Sequence, residues 1–130
     1  MSQGQRSMPI LSVKDVLKSA DFFAGMGFDI AGHWNNDDGS VNFAIVHLDT
    51  ITVGLMRDTD ARGSGENWVS YFYVNDINAF SDHIQGNGIE LARELVDQVY
   101  GCRDLEVIDL DGNRMCFGQD LTPGTAGPGL

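Results

Sequence analysis

Val13–Ile30, VKDVLKSADFFAGMGFDI, lies without a gap on Val74–Leu91, VNDINAFSDHIQGNGIEL, when the chain is slid by 61 residues. Five of the 18 positions are identical: Val13/Val74, Asp15/Asp76, Asp21/Asp82, Gly25/Gly86 and Gly27/Gly88. Chance would give about one match over that length, so the chain is read as a duplication. Conservative pairs such as Val16/Ile77, Phe23/Ile84 and Phe28/Ile89 point the same way.

Each copy predicts the same run of elements. An apolar strand (PILSV, VSYFYV) leads to Asp15 or Asp76, whose short carboxylate suits a helix N-cap. Val16, Ala20 and Phe23, and likewise Ile77, Phe80 and Ile84, recur at helical spacing and give one apolar face. The paired glycines at 25/27 and 86/88 supply a left-handed stop. A hairpin closes each copy, NFAIVHLDTITVGLM in the first and DLEVIDLDGNRMCFG in the second. The unit is therefore β-α-β-β-β, with a first module over 8–58 and a second over 67–120, joined by the polar linker 60–66. Together they make one α+β domain spanning 1–130, in which 121–130 reads as a loose tail.

One helix covers one face of a four-stranded sheet. The other face must meet a sister sheet, a second subunit or a ligand, and two such sheets enclose a trough. Bulk properties narrow what enters it. The chain has 130 residues, 42% of them hydrophobic, which is enough for an ordinary core. Its net charge of −11 (8 basic, 19 acidic) argues against nucleic acid and anionic membranes as partners and favours cationic ligands. No apolar run reaches membrane-span length, and MSQGQRS carries no secretion signal, so a cytoplasmic location is expected. Cys102 and Cys116 lack metal-ligand spacing, so structural zinc is not expected.

The duplicated unit, with MPILSVKDV…FF…GF at the start, V-x-D before the second helix and YG-x-R…D-x-DGN-R near the end, resembles the vicinal oxygen chelate superfamily. That superfamily holds glyoxalases, dioxygenases and bleomycin-resistance proteins, and the chain is most similar to bleomycin-resistance-like, metal-free members. The resemblance implies two modules curving around a central trough. Enzymes of the superfamily bind a divalent metal through His, Gln or Glu on four inner strands. By the motif match those positions fall at Met8, Val69, Cys116 and either Val53 or Gly54. None completes an oxygen/nitrogen site for Fe, Mn, Ni or Zn. No metal and no cofactor is therefore expected, and His33 and His47 (a loop and a turn) and His83 (second helix) do not restore one.

Strand alternation then assigns the trough. Val69 carries Tyr71 and Tyr73 inward, Arg114 and Cys116 face in, and Asp104 and Glu106 oppose the core-facing Leu105 and Val107. Trp34 and Tyr100, read in neighbouring loops, close over it. The expected ligand-binding set is Trp34, Tyr71, Tyr73, Tyr100, Glu106, Arg114 and Cys116. Plainer readings stand beside this one. The tyrosines also suit a core, Glu106 also suits a cross-strand pair with Arg114, and Cys116 also suits an inert buried thiol.

Three functions compete. The first is a non-catalytic binder that sequesters a cationic, aromatic small molecule and so confers antibiotic resistance. By analogy with the bleomycin-resistance proteins it works as a homodimer, in some cases with exchanged modules. The second is a metal-dependent glyoxalase, lyase, epimerase or dioxygenase. The third is a fold kept for protein association alone. The vacated ligand positions favour the first.

Overall fold

The computed structural model describes residues 1–122, so the expected tail lies, from 123 on, outside the described residues. The duplication is visible element by element. The first module is β1 (Ile10–Val13), α1 (Val16–Gly25), β2 (Asp29–Asn35), β3 (Val41–Leu48) and β4 (Ile51–Arg57). The second is β5 (Trp68–Tyr73), α2 (Ile77–Gly86), β6 (Arg93–Asp97), β7 (Cys102–Ile108) and β8 (Arg114–Asp120).

Both helices start as the repeat predicts. The Asp15 carboxylate accepts from Lys18 N at 3.1 Å, and that of Asp76 from Ala79 N at 3.0 Å. Both end before a glycine in the left-handed region, Gly27 at φ 96° and Gly88 at φ 82°. Their buried faces are superimposable: Val16, Ser19, Ala20 and Phe23 on α1, and Ile77, Phe80, Ser81 and Ile84 on α2.

Each module has its own four-stranded sheet, ordered β1-β4-β3-β2 and β5-β8-β7-β6. β1 runs parallel to β4, and β5 to β8, while the other pairings are antiparallel. Alternation sends Leu11, Val13, Val46, Val53 and Leu55 of one sheet, and Phe72, Leu105, Val107, Met115 and Phe117 of the other, into the core under the helices. The modules meet through these helix sides. The Phe28 ring stands edge-on to Phe117 at 6.5 Å, and Asn87 Nδ2 donates to Gly25 O at 2.8 Å, tying the two helix ends together. The β7–β8 turn makes a second joint: Asn113 Nδ2 donates to Ser12 O (3.1 Å) and Lys14 N to Asp111 Oδ1 (2.9 Å). The two sheets are curved and not closed on each other, and the helix-free face of each remains to be occupied. No helix among the described residues is long and apolar enough to cross a membrane.

Two local readings change. Val69 was expected on the trough face with Tyr71 and Tyr73. A β-bulge between Trp68 and Ser70 shifts the pairing, so Trp68 sits opposite Arg114 and Tyr71 opposite Cys116. Trp68 therefore joins the tyrosines on that face, and Val69 packs against the core cluster. His33 and Trp34, expected in a loop, lie within β2, where His33 pairs with Ala44 and Trp34 with Phe43.

Candidate functional site

The helix-free face of the second module is built around two carboxylates on β7. Leu105 and Val107 anchor that strand in the core, so Asp104 and Glu106 must point the other way. Asp104 is fully buried and receives four side-chain donors. Tyr100 and Tyr71 hydroxyls reach Oδ2 at 2.5 and 3.1 Å, and Arg93 Nη2 and Gln98 Nε2 reach Oδ1 at 2.5 and 3.0 Å. Glu106 receives three: Arg114 Nη1 at 2.6 Å, Arg93 Nε at 3.0 Å and Trp68 Nε1 at 3.2 Å. Arg93 links the two carboxylates. Left alone, each charge at such a site would cost several kcal/mol, on the order of the penalty for a buried ion.

The electrostatics follow from those partners. Burial works to raise both carboxyls, but the hydrogen bonds outweigh it. Tyr100, Gln98, Arg93 and Tyr71 hold Asp104 below its ordinary value, and Arg114, Arg93 and Trp68 do the same for Glu106. The hydroxyls and the thiol move oppositely. Burial pushes Tyr71 up, with Cys102 and Asp104 adding to it, and burial and Asp104 push Tyr100 up. Cys116, wholly buried, is raised by burial and by Asp104, although Arg93 Nη2 lies 3.9 Å from its sulfur. At neutral pH the site is thus two carboxylates against two guanidiniums, with protonated tyrosines and an unreactive thiol.

Of the expected residues, Tyr71, Tyr100, Glu106, Arg114 and Cys116 come together here. Tyr73 joins through its ring, 4.9 Å from Tyr71, which lies 5.5 Å from Trp68, so β5 carries an aromatic ladder with partly exposed ends. Trp34 stands apart. It packs on Phe43 at 5.9 Å on the first module's helix-free face, where Ile10, Met56 and Trp34 are each more than 40% exposed. A cavity of about 560 Å³ opens on that face, with Met8, Ile45, His47 and Thr52 in its wall. A groove of about 390 Å³ runs from Thr52 to Tyr71 and Tyr73 between the modules.

Sequence reasoning missed Arg93, Gln98 and Trp68 and passed over Asp104 in favour of Glu106. Two inward carboxylates with one residue between them require cations, and Arg93 is a strand-borne candidate. Its parity was hidden by the irregular β6–β7 pairing between Arg93 and Val96. The bulge hid Trp68.

A family model of the glyoxalase/bleomycin resistance protein/dioxygenase superfamily matches residues 7–117. The chain belongs to this superfamily. Solved structures agree on the fold. A glyoxalase-related enzyme from Clostridium phytofermentans superimposes with a TM-score of 0.77 at 16% identity, covering 92% of this chain and 97% of its own. The bleomycin resistance determinant encoded on the transposon Tn5 gives 0.76 at 15% identity, covering 92% and 100%. A bleomycin-binding protein complexed with bleomycin gives 0.71 at 17% identity, covering 89% and 98%. At such identities the likeness carries the fold and no more. No curated protein matches the chain.

The divalent metal of superfamily enzymes does not fit the residues present. Register favours Gly54 over Val53 as the fourth position that the resemblance marks out. Ile10 pairs with Gly54 just as Tyr71, its counterpart 61 residues on, pairs with Cys116. Val53 is fully buried in the core, which leaves Gly54. A Cβ there would stand 2.5 Å from Ile10 Cδ1 and 2.8 Å from Phe43 Cζ, so two apolar side chains fill the space a ligand residue would need. Of the four positions that the resemblance marks out, Met8, Gly54 and a protonated Cys116 supply no oxygen or nitrogen and Val69 is turned to the core, so the donor set lacks what Fe, Mn, Ni or Zn require. Among the described residues no group of three or more His, Cys, Asp or Glu gathers at one point.

Proposed function

We propose that this protein binds and sequesters a small aromatic molecule without transforming it, in the manner of a bleomycin-resistance protein. The observation that carries the reading is the state of the trough groups. Both carboxylates are saturated by internal donors and the thiol and hydroxyls keep their protons, so no group is poised to act as general acid, base or nucleophile. What remains available is a surface of aromatic edges: Trp68, Tyr71 and Tyr73 on one module and Trp34 on the other. Surfaces of that kind, with a few fixed polar groups, suit small planar ligands.

The ligand is cationic by this reading. Glu106 does not offer it a free charge, so the attraction comes from the field of a chain with net charge −11 and from the ring faces. The chain acts as a homodimer in which the exposed apolar face of one protomer's first module meets the second-module face of its partner, and it works in the cytoplasm. Titration calorimetry with bleomycin and with ethidium tests the binding reading, and sedimentation tests the dimer. Absence of heat with both ligands overturns the first. Stoichiometric Fe, Mn, Ni or Zn in the purified protein, with turnover of a glyoxalase-type substrate, replaces it with an enzyme.

A further inference from the structure

The second-module trough has used almost all of its hydrogen-bonding capacity on itself. Asp104 and Glu106 are taken up by seven side-chain donors between them. Arg93 spends every guanidinium nitrogen: Nε on Glu106, Nη1 on the carbonyls of Glu94 and Asp104, and Nη2 on Asp104. Arg114 differs. Its backbone N donates to Ser64 Oγ (2.8 Å), its Nε to Gly65 O (3.0 Å) and its Nη1 to Glu106 (2.6 Å). No described residue accepts from its Nη2. The side chain keeps 21% of its surface exposed, which leaves Nη2 room to meet solvent. The guanidinium is therefore clamped on two sides and open on the third. Strand register sets it beside Trp68, where the aromatic ladder to Tyr71 and Tyr73 begins.

From this geometry we infer that the planar aromatic ligand carries, in addition to its positive charge, an acceptor oxygen, carbonyl or carboxylate, next to its ring. Nη2 of Arg114 takes that oxygen while the ring lies against Trp68 and the tyrosines. The inference rests on the reading of the trough as an aromatic binding site and adds the group that gives it selectivity. A guanidinium already fixed by two bonds loses little entropy on donating a third, and a charge-assisted hydrogen bond made there is stronger than a neutral one.

Four probes separate the contributions in calorimetric titrations of the whole chain. Indole has the ring alone, tryptamine the ring and a cation, and indole-2-carboxamide and indole-2-carboxylate the ring and an adjacent oxygen. The two oxygen-bearing probes are expected to bind about tenfold or more tighter than indole. In Arg114→Met the ratio of the oxygen-bearing probes' affinity to that of indole falls to about one. Equal affinity for indole and both oxygen-bearing probes in the wild type overturns the assignment, and this comparison stands even where the variant fails to fold. A gap that survives in Arg114→Met overturns it as well, because the oxygen is then held elsewhere. Failure of all four probes to bind overturns the aromatic site itself, whereas indole binding without an oxygen preference overturns only the role of Arg114.

Discussion

Gly118 is the smallest residue in the trough and the one whose enlargement has the clearest consequence. It pairs across the hairpin with Asp104 and alongside Tyr73, and the Tyr71 hydroxyl and ring edge lie directly over its Cα. A Cβ there would overlap the Tyr71 hydroxyl oxygen, and the nearest ring carbons stand at 2.6 and 3.0 Å. The ring is held between Trp68 and Tyr73, so it does not swing aside freely. Gly118→Ala therefore forces Tyr71 off Asp104. The lost hydrogen bond to a charged group costs about 1.5–3 kcal/mol. Overpacking adds about 1–3 kcal/mol. Asp104 keeps three other side-chain donors, which limits the damage, so the expected loss is about 2–4 kcal/mol, or a Tm lowered by about 10 °C. Thermal and urea unfolding followed by circular dichroism measure it. Gly86→Ala is the matched control: its Cβ meets nothing within 4 Å, so it should be neutral or stabilise by up to about 1 kcal/mol. In a Tyr71→Ala background the Gly118→Ala cost should fall below about 1 kcal/mol, since the clash has no partner. Equal stabilities for the Gly118 and Gly86 variants would refute the reasoning.

Arg93→Met leaves the buried Asp104 without a cation and Glu106 with Arg114 alone, and is expected to cost about 3–5 kcal/mol in urea unfolding. A loss under about 1 kcal/mol would mean that the other donors suffice. Asp104 and Glu106 have folded values below their ordinary 3.8 and 4.5, so the unfolded chain binds protons first as pH falls. Their stabilisation is complete above those values and drains away as pH drops through and below them. Unfolding free energies between pH 7 and pH 2 check the sign, and Glu106→Gln should flatten the acid limb. Both cysteines are buried, so Ellman's reagent should find neither in the native chain and both after unfolding. A fast-reacting Cys116 would contradict its protonated, enclosed state.

The fold was legible because duplication turns one weak pattern into two that must agree. The caps at Asp15 and Asp76 and the glycine stops were read from residue type alone, and the two buried helix faces match position for position. Side-chain direction in the last hairpin was equally legible, since Leu105 and Val107 leave Asp104 and Glu106 no other face. Alternation stops working at a bulge, where one extra residue moves every side chain before it to the opposite face. Hence Trp68 replaced Val69 in the trough, and Arg93 stayed hidden across the irregular β6–β7 pairing. The chemistry of the carboxylates was legible only in part, because sequence names the charges that face a cavity but not how they pair. The plainer reading of Glu106 as a cross-strand partner of Arg114 is the one that forms, but the sequence did not name Arg93, which pairs with both carboxylates.

Arg93 has one more consequence. The positive charge nearest Cys116, where the metalloenzymes of the superfamily carry a ligand, is part of the polypeptide. A covalently attached cation cannot be chelated, exchanged for a wrong ion or lost when supply is scarce. Its charge is present as soon as β6 and β7 have paired. On the proposed binding reading, chelator treatment should therefore leave ligand binding untouched.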